Sequence, residues 1–497
     1  MKKIFVLLFF VFIANNICAV EKESLIKKGL ELSYNFQIKE SEKIYNTIIE
    51  TYPNEPEGYL YMSQNYLWTY LGNKDEGDYE VFFKYLNLGI EKLNNKLSNA
   101  EKKYEINYLL GKAYMFKAMA LSTAEKNLDA FWATKSSIGY FEDVLEENPV
   151  YYDANLGIGI FQYALGFVPS VFKWALNLTG LTADQNKGFN NIQIALKKGM
   201  NSKTEASFHL GKIYSDYFAE YDSSTINLYN IINKYPKNTL FLYQCAITHL
   251  LNRDLQNAEK LLNRVISLNN QNFQQTTAFS YFLKGDIYFR RNDFEKAIEY
   301  FNKFTELTKS IDYLGITNYR LAFCYEMLGK NDESEQCIAN TNSGNDDIQE
   351  DIYAFEEGKR VKNYGWTYER KNLLANQNNL ESAKYDSVIS NLKTHISSYK
   401  DDDSKMIAYL YLADSFINKK ELEDANYYLT KVYPKKLNKE KWGIPYFNYL
   451  KALYFYKLKK TNEAIKYIKL AEDTNEYYFK DKYQPLINKL KRKLKID

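Results

Sequence analysis

Short blocks recur along this chain in which a side chain without bulk stands at a fixed offset from aromatic ones. The clearest block reads Tyr281-Phe282-Leu283-Lys284-Gly285-Asp286-Ile287-Tyr288. After a turn at Asn292-Asp293 it continues as Phe294-Glu295-Lys296-Ala297-Ile298-Glu299-Tyr300-Phe301. Gly285 and Ala297 let two helices approach closely, while Tyr288 and Phe301 fill the seam between them. Asp293 suits the cap of the second helix. The same arrangement returns at Gly29 with Tyr45, at Gly111 with Tyr114, at Gly211 with Tyr214, and at Ala246 with Ala258. It returns again at Ala322 with Tyr325, around Ala383, at Ala413 with Phe416 and Ala425, and at Ala452 with Phe455 and Ala464. A repeated helical hairpin cannot bury its apolar face alone, so such units stack on their neighbours. Composition agrees. Glycine (21) and proline (8) are too scarce for the turns of a sandwich or barrel, and 46 Tyr, 30 Phe and 5 Trp are too many for a disordered chain. The expected fold is all-α: a solenoid of antiparallel helix pairs wound as a right-handed superhelix.

The order aromatic, small pair, tyrosine, then Ala-x-x-x-Phe resembles the tetratricopeptide repeat. Ala258 to Ala297 and Ala425 to Ala464 are each 39 residues apart, against about 34 for that repeat, so the additional residues fall after the second helix. The expected organisation is a signal peptide at 1–19, helical repeats over 20–150, a hydrophobic helical insert over 151–200, central repeats over 201–345, further repeats over 346–475 and a capping helix over 476–497. In that last segment Leu486, Ile487, Leu490 and Leu494 share one stripe. A cap for the final repeat is the plainer reading and a lipid-surface helix the sharper one.

Ala154–Thr182 interrupts the pattern, with Lys173 as its single charge. Pro169 divides it into two helices, each too short to span a bilayer. Two readings stay open: a buried insert on which the repeats pack, or an apolar hairpin that meets a membrane or ligand through Phe161, Phe167, Phe172 and Trp174. Gly157-x-Gly159-x-Phe161, Pro169 with Lys173 four on, and Gly180-x-x-x-Asp184-x-x-x-Gly188, followed by Tyr235-Pro236 and Leu240-Phe241, resemble the tetratricopeptide repeat protein 39 family. The likeness runs from about 150 to 340. It implies a helical-repeat interaction protein without enzymatic activity. Its fungal relatives clear inclusion bodies and associate with the outer mitochondrial membrane and lipid droplets. They are intracellular, whereas this chain opens with an export signal.

That signal is Lys2-Lys3 followed by the apolar run Ile4–Ile13 and a small residue at Ala19. Cys18 keeps a lipoprotein reading open beside plain cleavage. The placement expected is export, to the periplasm of a Gram-negative bacterium, with outer-membrane association as the variant. Cleavage after Ala19 leaves Cys245, Cys324 and Cys337, read as buried thiols in helix cores rather than a disulfide framework. Sixty-five Lys+Arg against 62 Asp+Glu give a formal net charge of +3, with both signs interspersed, which argues against nucleic acid.

No catalytic, metal or cofactor motif emerges. His209, His249 and His395 are scattered with no Cys-rich companion, so the converging ligands of a zinc site are missing. Phosphate loops and nucleophile elbows are likewise absent from the sequence. Asp401-Asp402-Asp403 lacks calcium-loop spacing and reads as a solvated loop. What remains is the concave side of the stack, where first helices present their free faces. By register Tyr243, Phe282, Asp286, Phe289, Tyr319, Phe323, Tyr449 and Tyr456 should lie there, and rigid aromatics suit binding at small entropy cost. The function expected is therefore a non-enzymatic scaffold holding a protein or peptide partner, with no cofactor. The alternative is a membrane-peripheral factor binding lipid or glycan through residues 154–182.

Overall fold

A computed structural model describes residues 20–169, 172–475 and 477–496. They are helical, with no strand among the described residues. The signal peptide expected at 1–19 lies outside them. Contacts divide the chain into two units. The first runs through Gly211 and takes in Ile226–Phe241 and Leu268–Gln274; the second comprises Lys212–Thr225, Leu242–Ser267 and Gln275 onward.

The first unit begins with α1 (20–34), α2 (Ile38–Thr51), α3 (Glu57–Asn73) and α4 (Glu76–Leu97). Then come α5 (Lys103–Thr123), α6 (Asn127–Glu147), α7 (Ala154–Ala164), α8 (Lys173–Thr179) and α9 (Gln185–Lys198). Next are α10 (Lys203–Asp216), α11 (Tyr221–Lys234), α12 (Thr239–Leu251) and α13 (Leu255–Leu268), which contribute residues to both units. Helix α3 pairs with α4, α5 with α6, and α7 with α9. The expected insert therefore contains an ordinary pair: only the stretch from the turn Leu165–Phe167 through α8 is added between its two members.

Why small residues recur is visible at Phe141. Its ring is wedged between α5 and α7, and a Cβ built on Gly111 would lie 2.7 Å from Cε1, one on Gly157 2.0 Å from Cε2. The two glycines press opposite edges of one fully buried ring. At the start of the chain, Phe36 stacks on Phe273 at 3.9 Å and Asn238 Nδ2 donates to the Tyr34 carbonyl at 2.7 Å. The turn after α1 is thus fastened to loops more than 200 residues on.

The second unit continues with α14 (Gln274–Arg290), α15 (Phe294–Leu307), α16 (Leu314–Met327), α17 (Asn331–Ala339), α18 (Gln349–Tyr364) and α19 (Tyr368–Glu381). It ends with α20 (Tyr385–His395), α21 (Asp402–Lys419), α22 (Leu422–Lys431), α23 (Gly443–Lys457), α24 (Thr461–Glu472) and α25 (Lys480–Leu494). A Cβ on Gly285 would meet Phe301 at 2.4 Å, so α14 and α15 close on each other as their sequence requires. Asp293 caps α15 by accepting from the Lys296 amide at 3.4 Å. Between α22 and α23 the additional residues of the longer repeat form a connection with a turn at Pro434–Lys436. The aspartate run corrects the solvated-loop expectation. Asp401 caps α21, and Asp403 is buried, accepting from the amides of Lys439 at 3.1 Å and Glu440 at 3.0 Å. Cys245 and Cys324 are buried and Cys337 is half-buried.

Candidate functional site

The second unit holds a cavity of about 430 Å³. Its walls come mainly from the first helices of successive pairs, α14, α16, α19, α21 and α23, with α18 and α25 completing it. Helical spacing aims one side chain of each turn at this space, and here many of those side chains are charged. Arg290 Nε donates to Asp286 at 2.7 Å one turn earlier in α14, and Arg320 reaches the same carboxylate at 3.0 Å. Arg253, in the turn after α12, pairs with Asp414 at 2.9 Å, and Tyr446 donates to Asp414 at 2.8 Å. Glu381 receives Lys482 at 2.6 Å and Arg290 at 3.6 Å. Burial works to raise the Glu381 carboxyl, but Lys482, Arg253 and Arg290 together hold it well below the usual carboxylate range. Every cation lining this space is thereby paired.

Two carboxyls are not. Glu350 of α18 is pushed up to about 7, first by burial and then by the charge of Asp481 on α25, while Arg320 opposes the rise. Asp481 is raised too, chiefly by burial. A second, smaller space of about 200 Å³ adjoins α18, α19 and α21. Its floor is a buried network in which Arg370 pairs with Glu357 and with Glu440 at 2.9 Å, and Arg360 meets Glu357 at 2.5 Å. The Trp442 indole donates to Glu440 at 2.6 Å, and Tyr353 accepts from Arg370 at 3.0 Å. Removing one partner from such a set leaves a buried charge uncompensated.

Of the residues expected on the inner surface, Asp286, Phe289, Tyr319 and Tyr449 line the larger cavity. Tyr243 and Tyr456 are half-buried and do not reach it. Phe282 and Phe323 belong to the core: Phe282 packs against Phe304 and Tyr313, Phe323 against Phe289 and Trp366. Even Phe289 and Tyr319, at the wall, are almost wholly buried. For Phe282 and Phe289 the physical reason is Arg320. Its guanidinium, tethered by Asp286, lies 5.6 Å from the ring centres of both Phe282 and Phe289 and covers them. The inner surface is thus a lattice of paired charges laid over aromatic rings rather than open aromatics.

Arg253, Glu381, Asp414 and Trp442 were not expected there. One signal was present: the aspartate directly after the small residue in both Gly285-Asp286 and Ala413-Asp414. Register places that position one step off the packing stripe, toward the inner side.

In the first unit Phe161 is buried and Phe172 half-buried, whereas Phe167 is 46% exposed, Trp174 55% and Leu178 56%. Helix α8, which carries the last two, packs on α6. Among the described residues no helix is long and apolar enough to cross a membrane.

Residues 150–343 match the Iml2/Tetratricopeptide repeat protein 39 family model. That stretch contains Gly157, Gly159, Asp184 and Gly188. In the structure Asp184 caps α9 by accepting from the Lys187 amide at 2.9 Å, and a Cβ on Gly159 would meet the Gly188 carbonyl at 2.8 Å. Gly159 and Gly188 therefore serve the close crossing of α7 and α9, while Gly157 admits the Phe141 ring of α6. No curated protein matches the chain. Among solved structures, yeast Tom70 is similar at 12% identity and a TM-score of 0.30, over 92% of this chain and 100% of that one. The tetratricopeptide domain of P58(IPK) is similar at 12% identity and a TM-score of 0.21, over 78% and 98%. The fold is a tetratricopeptide-like helical-repeat solenoid. Solenoids of this type generally serve as protein–protein interaction scaffolds.

Proposed function

We propose that this protein is an exported, non-catalytic scaffold, working in a periplasm, that holds a protein or peptide partner on the inner face of its second unit. The observation that carries this reading is the cavity of about 430 Å³ whose wall carries four paired cations over buried rings. Side chains already held in ion pairs lose little entropy on binding. Its polar groups can exchange partners with an incoming chain, while Tyr449 and Trp442 supply apolar contact. The test is affinity purification from the native organism with wild type, Tyr449→Ala and Glu350→Lys. A polypeptide identified with wild type should fall at least about tenfold with both variants, a loss of about 1.4 kcal/mol. Equal recovery from all three refutes the assignment.

A second reading rests on the exposure of Phe167, Trp174 and Leu178. Three large apolar side chains beside Lys173 match the face of an element that settles into a lipid interface. Flotation with liposomes decides it: binding that Trp174→Asp abolishes supports a membrane-peripheral role, and an unchanged distribution removes it. The same substitution tested against a glycan array addresses the glycan alternative.

A further inference from the structure

A helix that only capped the last pair would touch α23 and α24. Helix α25 does that with Ile487 and Leu490, which are buried against Ala452, Ile468 and Ala471. It also does much more. Tyr483 lies parallel to the Trp442 indole, with ring centres 5.9 Å apart, and sits 4.9 Å from Tyr446. Phe479, just ahead of the helix, meets Tyr353 edge-on at 4.7 Å. Lys482 binds Glu381 at 2.6 Å. Toward its end Asn488 and Lys489 donate to the carbonyls of Tyr217 and Ala219 at 2.9 and 2.8 Å, and Arg492 pairs with Glu220 at 3.0 Å. These last partners stand some 270 positions earlier in the chain, in the connection between α10 and α11 of the same unit. The segment lies along the inner face as a bound helix does in a groove.

Its hold is also imperfect. Pro485 stands inside the helix and removes one of its backbone hydrogen bonds, so the segment depends on the groove for its form rather than on intrinsic propensity. Docking further brings Asp481 toward Glu350, two carboxyls that disfavour each other's ionisation, with Arg320, Asp351 and Lys482 as the other charges facing them. A structural cap gains nothing from these features, whereas an exchangeable occupant does.

Building on the scaffold reading, we infer that the inner face of the second unit is a helix-binding groove whose resident ligand is α25, and that its partner is a basic amphipathic helix with the spacing of Phe479, Lys482 and Tyr483, entering as α25 leaves.

The experiment uses the full chain, as wild type, as Lys482→Ala, and as the double variant Lys482→Glu/Tyr483→Asp, with a fluorescein-labelled peptide of residues 477–496. Hydrogen exchange reports whether 480–494 has left the groove, and fluorescence anisotropy reports peptide binding. In the double variant, exchange over 480–494 should rise at least about a hundredfold while α14–α24 stay protected. The peptide should then bind at least about tenfold tighter than to wild type, with Lys482→Ala intermediate, and a peptide carrying both substitutions should not bind. Continued protection of 480–494, release without peptide binding, or loss of protection spreading across α14–α24 each overturns the inference. Peptide binding by a chain that captures no protein in the purification above leaves the groove standing and removes the scaffold reading instead.

Discussion

Glycines of the same unit should respond oppositely to one methyl group, and the packing around Phe141 states by how much. Gly139 lies inside α6, and a Cβ there has nothing within 4 Å. Gly139→Ala removes the backbone freedom of glycine at no steric cost, so it should stabilise the first unit by about 0.5–1 kcal/mol. Gly157→Ala gains the same helix preference but places its methyl 2.0 Å from Phe141 Cε2. The ring has little room to retreat, because its opposite edge lies so near α5 that a Cβ on Gly111 would stand 2.7 Å from Cε1. Overpacking of this kind costs about 1–3 kcal/mol, and with both edges bounded the upper part of that range applies. Set against a propensity gain near 1 kcal/mol, Gly157→Ala should lose about 1–2 kcal/mol, a five- to thirtyfold change in the folded-to-unfolded ratio. Urea melts followed by circular dichroism at 222 nm read both shifts, and Phe141→Leu in the Gly157→Ala background should recover part of the loss. If Gly157→Ala stabilises as much as Gly139→Ala, close helix approach is not what the small residues serve, and the packing argument fails.

Three other outcomes follow from the second unit. Glu350 is raised to about 7 in the folded chain against about 4.3 in an unfolded one, so the folded state binds the additional proton. Stability should fall as pH rises from about 4.3 to 7, and Glu350→Gln should flatten thermal melts recorded at pH 5, 6, 7 and 8. Asp403→Ala strips two amides, that of Glu440 buried, of their acceptor and should cost about 1–3 kcal/mol in the same urea assay; a change within error would mean water replaces the carboxylate freely. Burial pushes the Cys337 thiol up to about 11 and the Cys324 thiol well above its usual value. A chain beginning at Val20 should thus show no rapid reaction with a thiol reagent at pH 8 and react at Cys245, Cys324 and Cys337 in urea.

Much of this molecule was open to reading before any coordinates. Periodic small residues announced the paired helices, because a glycine facing a ring is a local demand that only close approach explains, as Gly285 and Phe301 show. Asp293 announced its cap for the same reason: its hydrogen bond spans three residues. The inner surface was only half legible. Asp286, Phe289, Tyr319 and Tyr449 were placed by register, yet Phe282 and Phe323 lie on neighbouring turns of the same helices and went into the seam. Helical register is known to within about one residue, or 100°, and the difference between wall and core is smaller than that.

The sequence by itself determined the class of fold, the positions of the close crossings and the absence of any recognisable catalytic motif. Those depend on interactions within a hairpin or between adjacent hairpins, which the spacing of residues encodes directly. Tertiary structure alone decided which carboxylates share a space with Arg253 and Arg290, that Arg320 covers two phenyl rings, and that α25 lies along the inner face toward residues 217–220. Such meetings join side chains tens to hundreds of positions apart, and they arise from many small rotations added helix by helix. No local pattern records that sum.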